Sequence, residues 1–213
     1  PHHGRSMRST STAVDENGDY AHANSDNSRV AAGATKVVLD AKGPGVITHM
    51  WFTFLGPEPH PWAKDGSANH QELLLRVYYD GSDRPGVEAP LGDFFGTAAG
   101  ENRYRSLATG VVAEGYYSNW YMPFSKARIV IANDGQEARR LRFTLHREAL
   151  KKEEAEELLR FHCKWHRDDF SGLDEERFWN DRWPDWPVVK IDDTAGRFCG
   201  FQAHMWNPNN IWP

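Results

Sequence analysis

The feature of this sequence that most constrains its fold is a series of short segments in which apolar and polar residues alternate. Within residues 73–80 every second side chain is apolar, and similar alternation recurs in residues 126–133 and 138–146. Successive side chains of a β-strand point to opposite faces of its sheet, so a period of two is typical of a strand with one buried face. The pattern therefore predicts a sheet protein whose strands mostly bury one side.

Turn signals separate these segments. Asp134-Gly135 lies between two predicted strands, as in β-hairpins with an Asp-Gly turn. Further strands are predicted at residues 35–41 and 46–55, and a last hairpin at 188–191 and 197–205. Only residues 149–161 favour a helix, because glutamates crowd the first turns and complement the helix dipole. Together these elements predict an all-β fold, an antiparallel jelly-roll sandwich with one short helix.

Composition divides the chain into three parts. Residues 1–34 are rich in small and polar residues and have little to bury, so we expect an extended or poorly ordered arm there. Residues 35–165 contain most of the predicted strands and the helix, and we expect them to form the jelly-roll domain. Residues 166–213 combine an aromatic, proline-interrupted connection with the last predicted hairpin.

Charge and hydropathy exclude several classes of function. The 213 residues carry a net charge of −5, whereas a nucleic-acid-binding surface requires a basic field. Mean hydropathy is −0.70, and no apolar run approaches the about 20 residues of a membrane span. Two cysteines do not make a disulfide framework, and the first residues show no apolar signal-peptide segment. We therefore expect a cytoplasmic protein with no nucleic-acid or membrane partner.

Residues 77–96 combine a strand end, several glycines and a carboxylate beside two aromatic rings. Asp80-Gly81 predicts a turn, since glycine tolerates positive φ and aspartate caps its own backbone. Further on, Asp93 precedes Phe94 and Phe95 in PLGDFFG. Two interpretations are open: the phenylalanines belong to the core and Asp93 caps a turn, or the three side chains form part of a binding site.

Four segments of the chain resemble motifs of one enzyme family and occur in the same order. They are GPGVITHMWFT at 43–53, VYYDGSDRPGVEAPLGDFFG at 77–96, NWYMPFSKAR at 119–128 and FHCKW at 161–165. The chain resembles the N-terminal half of glycoside hydrolase family 172, formerly a family of unknown function. That family contains α-fructofuranosidases acting on difructose anhydrides and exo-acting arabinofuranosidases.

The resemblance implies the first jelly-roll half of a retaining glycoside hydrolase that cleaves fructo-, arabino- or galactofuranosides. The hairpin predicted at 188–205 would then open a second jelly roll. The family's two catalytic glutamates lie downstream of the segment similar to residues 197–206, so the resemblance gives no residue here a catalytic role. We expect the glutamates to come from a C-terminal half or a partner chain and this chain alone to be inactive. The resemblance also implies self-association as a homotrimer or hexamer.

Aromatic and polar residues in the motif segments suggest a sugar-binding site. Such sites commonly stack a ring on an apolar sugar face and hold the hydroxyl groups with carboxylates and amides. The substrate-binding candidates are Trp51, Asp93, Phe95, Asn119 and Trp120. We expect no cofactor and no metal, because the metal-like cluster of His162, Cys163 and His166 lacks a second group to complete four zinc ligands.

Two other functions are open on the sequence alone. A non-catalytic, lectin-like jelly roll would bind carbohydrate through the same aromatic residues. A structural protein would use the sandwich as a building block of a capsid-like oligomer. Fold class does not separate these functions from that of a hydrolase, since one architecture hosts many functions.

Overall fold

The computed structural model describes residues 4–12, 26–56, 65–97, 100–113, 115–168, 187–192 and 194–205. The strands in this part of the chain are β1 (Ser6–Thr10), β2 (Ser28–Val30), β3 (Thr35–Ala41), β4 (Gly45–Thr53), β5 (Leu73–Tyr79), β6 (Val87–Pro90), β7 (Tyr104–Arg105), β8 (Thr109–Val112), β9 (Gly115–Ser118), β10 (Met122–Phe124), β11 (Ala127–Asn133), β12 (Arg139–Ala149) and β13 (Cys163–Lys164). The helices are α1 (Leu91–Phe94) and α2 (Lys152–Glu157).

The strands form two sheets with a common hydrophobic core. The large sheet has eight strands in the order β1-β12-β4-β9-β8-β7, with β10 paired to β4 and β2 paired to β12. The small sheet has five strands in the order β13-β6-β5-β11-β3. Neighbouring strands are antiparallel apart from β13, which pairs in parallel with β6. The predicted all-β sandwich is thus confirmed.

The core lies between the inner faces of the two sheets. In β5 the buried and half-buried side chains alternate as the sequence predicted, and Leu75 and Val77 are fully buried. From the large sheet, Phe52 on β4 and Phe143 on β12 enter the same core. Full burial of a side chain of this size contributes about 1.5–3 kcal/mol, so the two inner faces supply most of the stability.

Two stretches of the expected N-terminal arm are strands of the large sheet. β1 pairs along β12, and Ser11 continues the pairing: its N–H donates to the Phe143 carbonyl at 3.0 Å and its Oγ accepts from the Phe143 N–H at 2.9 Å. The segment has few apolar side chains, but its backbone satisfies the free edge of β12. Backbone hydrogen bonding, which composition does not reveal, therefore places these residues.

The helix predicted at residues 149–161 is wrong in extent. Strand β12 continues to Ala149, and α2 spans only Lys152–Glu157. Its N-terminus is stabilised by Glu154, whose side chain accepts from the Lys151 N–H at 3.1 Å. At the other end, the guanidinium of Arg160 donates to the carbonyls of Ala155 and Leu158. These bonds satisfy carbonyls that another helical turn would have used, and the chain leaves the helix. The four-residue helix α1 was not predicted.

The hairpin predicted at residues 188–191 and 197–205 is also wrong. The described residues of both segments form no strand, and their apolar side chains are exposed, with Phe198 55% and Met205 73% accessible. An isolated two-stranded hairpin is marginally stable in water because nothing covers its apolar face, and alternation in the sequence does not provide that cover. Most of the predicted connection before it, residues 169–186, lies outside the described residues.

The chain forms two compact units, Pro1–Trp165 and His166–Pro213. The first unit contains all the strands and both helices described above. No helix in the described residues combines the length and the hydrophobicity that a bilayer-spanning segment requires.

The turn after β5 confirms the local prediction made from Asp80-Gly81. Both residues have positive φ, 58° and 85°. The Asp80 carboxylate accepts from the N–H groups of Ser125 at 2.8 Å and Lys126 at 3.0 Å, and from Arg160 Nε at 2.6 Å. Partial burial acts to raise the pKa of Asp80, but these hydrogen bonds outweigh it and the pKa falls below its ordinary value of 3.8.

Asp80→Asn is expected to lower the free energy of unfolding at neutral pH by about 1 kcal/mol, since a partly exposed carboxylate loses its charge-assisted bonds. Asparagine tolerates the positive φ, so the backbone is retained. A carboxylate with a depressed folded-state pKa stabilises the fold above its unfolded-state pKa. That stability disappears as the pH falls through the folded-state value. The difference between wild type and variant should therefore be complete above pH 3.8, decrease below it, and vanish once the pH is well below the lower folded-state pKa.

Urea unfolding measured from neutral to strongly acidic pH checks this expectation. Asp40→Asn is the matched control, because Asp40 is an exposed carboxylate that pairs with exposed Lys42. It should change stability much less than Asp80→Asn. A difference between wild type and Asp80→Asn that does not depend on pH would show that the charge of Asp80 is not what stabilises the turn.

Candidate functional site

Six side chains form a cluster on the outer face of the large sheet. Met50 and Phe52 of β4 point into the core. The residues that alternate with them, among them His49 and Trp51, point outward. Trp51 is opposite Tyr117 of β9, and His49 is opposite His146 of β12. Together with two neighbours they constitute what we call the outer-face cluster: His49, Trp51, Tyr117, Asn119, Arg142 and His146.

Two glycines leave the space that the aromatic rings of the cluster occupy. A Cβ on Gly115 would lie 2.8 Å from Nε1 of Trp51, and a Cβ on Gly110 would lie 2.4 Å from Cε1 of Tyr117. Each ring therefore lies against the backbone of the next strand, where any larger residue would displace it. Both rings are half-buried, and they present aromatic surface along β9 and β8.

Arg142 orients the indole of Trp51. Its Cζ lies 5.7 Å from the centroid of the ring, within the range of a cation–π interaction. Tyr117 is fixed independently, because its hydroxyl donates to the carbonyl of Ser106 at 2.8 Å. The two rings are thus held in place before any ligand binds, which lowers the entropic cost of binding.

The polar part of the cluster consists of two imidazoles and an amide. Nδ1 of His49 donates to Oδ1 of Asn119 at 2.7 Å, and Nδ2 of Asn119 donates to the Leu107 carbonyl at 3.0 Å. The ring of His146 lies 5.6 Å from that of His49. Burial, reinforced by His49 and by Arg8, lowers the pKa of His146. Its imidazole is therefore neutral at neutral pH and can both donate and accept a hydrogen bond.

Asp93, a predicted binding residue, is not part of this cluster. It lies in α1, after strand β6 of the small sheet, and its Oδ2 accepts from Nε2 of Gln71 at 2.9 Å. Next to it, Nε2 of His70 and the hydroxyl of Tyr116 form a buried hydrogen bond of 2.9 Å. Burial lowers the pKa of His70 although Glu101 acts to raise it, so the buried imidazole is neutral. Asp93 is thus hydrogen-bonded to Gln71, which follows His70 of this buried pair in the chain.

Phe95 belongs to the core. Its exposure is 0%, and its ring centroid lies 5.4 Å from that of Phe52 and 5.2 Å from that of Phe94. The interpretation of the phenylalanines as core residues therefore describes Phe95, and the position offers no surface to a ligand.

Trp120 also packs against other side chains of the domain. Its ring stacks on Phe161 with centroids 5.2 Å apart, and both residues pack against the main core. This contact holds the segment between α2 and β13 against the sandwich. Of the five candidates, the structure brings only Trp51 and Asn119 together in the outer-face cluster.

Four members of the cluster were not among the predicted binding residues: His49, Tyr117, Arg142 and His146. His49 precedes Trp51 by two residues, so the period of two in β4 was a signal that both side chains share a face. No comparable signal existed for the residues of β12, because the register between distant strands cannot be deduced from the sequence of either strand alone.

One family model matches residues 21–144, more than half of the 213 residues, and its description is GH172 domain-like. The chain belongs to the GH172 domain-like family. The matched range contains all five predicted binding residues and every member of the outer-face cluster except His146. No curated protein matches the sequence. The family assignment, made above from four sequence motifs, is therefore confirmed, and it makes this a glycoside hydrolase-related domain.

Neither a metal cluster nor a disulfide is present in the part of the chain that the structure describes. No group of three or more His, Cys, Asp or Glu side chains in it is arranged to hold a metal ion. Cys163 and Cys199 are both free.

Proposed function

We propose that this GH172 domain is part of a retaining glycoside hydrolase acting on furanosides, and that its outer-face cluster binds the sugar. The observation that carries the proposal is the preorganised pair of rings, Trp51 and Tyr117, next to the hydrogen-bonded pair of His49 and Asn119. Rings bind the apolar face of a sugar, and imidazole and amide groups bind its hydroxyls, so the cluster has both kinds of contact that such a ligand requires.

The six residues of the cluster include no carboxylate. Retaining hydrolysis uses two carboxyl groups about 5–5.5 Å apart, one as nucleophile and one as acid and base. In this proposal the two catalytic glutamates come from a C-terminal half or from a partner chain, and the domain described here contributes substrate binding. The same separation of roles makes the isolated domain a carbohydrate-binding module without turnover.

The proposal includes the partners and the location that follow from this division. The substrate is an oligosaccharide or glycan that carries fructo-, arabino- or galactofuranosyl units. The second partner is the chain with the C-terminal jelly roll, or further copies of this chain in a homotrimer or hexamer. A cytoplasmic location is consistent with the free thiols of Cys163 and Cys199.

Trp51→Ala is expected to weaken binding of an arabinofuranosyl or fructofuranosyl oligosaccharide about tenfold or more, because the sugar loses its stacking surface. Isothermal titration calorimetry with the 213-residue chain measures the change in Kd. Trp165→Ala is the matched control, since Trp165 is a 46% exposed tryptophan outside the cluster, and it should leave Kd unchanged. Equal affinities of the Trp51 variant and the wild type would refute the binding face.

An activity assay on aryl furanosides tests the catalytic part of the proposal separately. We expect no turnover from the purified chain alone and turnover when a polypeptide with the two glutamates is added. Hydrolysis by the chain alone would show that its own carboxylates catalyse the reaction. Sugar binding without turnover in any combination would instead support a lectin-like module.

A further inference from the structure

A groove at one end of the small sheet has features of a second ligand site. Its volume is about 360 Å³, a size typical of small-molecule sites. The turn between β5 and β6 forms one side, and the segment leading into β13 forms the other. The side chains that matter for its chemistry are Tyr79, Asp80, Arg84, Arg160, His162 and Lys164.

Tyr79 is one of the residues that line this groove, and its buried hydroxyl has no hydrogen-bond partner. The residue is 5% exposed, and it is the only buried side chain in the described residues whose polar atom is unsatisfied in this way. Burial raises the pKa of Tyr79 above its ordinary value, so the group is a neutral hydroxyl that can donate a hydrogen bond. A buried donor without an acceptor is costly, and a ligand oxygen in the groove would supply the acceptor.

Glycine at position 86 keeps the groove open to this hydroxyl-bearing ring. A Cβ there would lie 2.8 Å from Cδ2 of Tyr79 and 3.4 Å from Cε1 of His162. The backbone is fixed on both sides, because Gly86 N–H donates to the Val77 carbonyl at 2.8 Å and the Gly86 carbonyl accepts from Cys163 N–H at 3.0 Å. Both rings therefore lie next to Gly86, with their centroids 6.4 Å apart.

The charges on the walls of the groove favour an anion. Arg160 is neutralised by its ion pair with Asp80, at 2.6 Å. Arg84 is exposed and forms no ion pair within the described residues, although Asp83 is its neighbour in the turn. Lys164 directs its ammonium to the carbonyl of Pro85 at 3.2 Å, which leaves its charge uncompensated. Two positive charges, on Arg84 and Lys164, thus remain among the residues that line the groove.

We propose that this groove binds a phosphate group, either as free phosphate or as the ester of a small sugar. Arg84 offers a planar fork of N–H donors and Lys164 a point charge, and both are common ligands of phosphate oxygens. The Tyr79 hydroxyl would donate a third hydrogen bond to a phosphate oxygen, and His162 also lines the groove. The groove shares no residue with the outer-face cluster, so this inference does not depend on the function proposed above.

Titration of the 213-residue chain with inorganic phosphate and with a hexose phosphate tests the site, and the neutral hexose serves as a negative ligand. We expect millimolar or tighter binding of a phosphate-containing ligand and none of the neutral hexose. Equal affinities for the two ligands would show that the phosphate group alone accounts for binding. Tighter binding of the hexose phosphate would show that the groove also contacts the sugar. Absence of binding by either phosphate would overturn the proposal.

Two variants with matched controls locate the binding. Arg84→Gln is expected to weaken phosphate binding about tenfold, whereas Arg128→Gln, at an exposed position of β11, should not change it. Tyr79→Phe removes only the unpaired hydroxyl, so it should weaken binding severalfold while leaving the free protein at least as stable as the wild type. Tyr78→Phe, at a half-buried position of the same strand, is its control. Unchanged affinity in both Arg84→Gln and Tyr79→Phe would refute this groove as the site.

Discussion

Replacing Gly115 by alanine is expected to lower the free energy of unfolding by about 3 kcal/mol. Its φ of 151° is a backbone conformation that residues with a Cβ rarely adopt, and such strain costs about 1–3 kcal/mol. The new methyl group would also lie 2.5 Å from the carbonyl oxygen of Phe52 and 2.8 Å from Nε1 of Trp51. Overpacking against backbone atoms that cannot move costs about 1–3 kcal/mol more, so the two effects reinforce each other. Urea unfolding followed by circular dichroism measures the change in midpoint.

Gly43→Ala is the matched control for this effect. A Cβ at position 43 would meet no heavy atom within 4 Å, and the φ of Gly43 is not positive, so its replacement should change stability by less than about 0.5 kcal/mol. A second comparison separates the two clashes. In a Trp51→Ala background, Gly115→Ala should cost less than in the wild type, because the contact with the indole is gone. A wild-type midpoint for Gly115→Ala would show that β9 does not approach β4 as closely as the structure indicates.

The parts of the fold that could be predicted from sequence are those in which local pattern and tertiary burial agree. β5 alternates in sequence and alternates in burial, because both of its neighbours and the opposite sheet are present in the same unit. Residues 188–205 carry apolar side chains too, but pattern alone does not create the neighbouring layer that a hairpin needs. The helix at 149–161 was overextended for a related reason. Arg160 stabilises an early helix end through side-chain bonds that periodicity does not encode.

The candidate site was predictable only where its residues are close in sequence or lie in a recognisable motif. Trp51 and Asn119 were identified from motif segments, and the structure brings both into the outer-face cluster. Arg142 and His146 join them through the register of β12 against β4, which includes a shift after His146. Long-range register depends on the packing of the whole sheet, so inspection of either segment does not yield it.

Phe95 was predicted to bind ligand, but the structure places it in the core. Its replacement has the largest effect expected here. A carboxylate followed by two rings suggested a binding site, but α1 turns the second ring fully into the core, against Phe52, Phe94 and Tyr116. Phe95→Ala should lower the free energy of unfolding by about 3–5 kcal/mol, because it removes buried surface and leaves a cavity. Thermal and urea unfolding measure this loss.

The milder Phe95→Leu variant keeps enough of the core to fold, and it distinguishes a core role from a binding role. We expect it to lose about 1 kcal/mol of stability and to bind furanosyl oligosaccharides with wild-type Kd at temperatures where it is folded. Leu107→Ala is the control for both variants, since Leu107 is 92% exposed and its truncation should not change the unfolding midpoint. If Phe95→Leu instead kept its stability and lost sugar affinity, the ring would have to contact ligand, and the assignment of Phe95 to the core would fail.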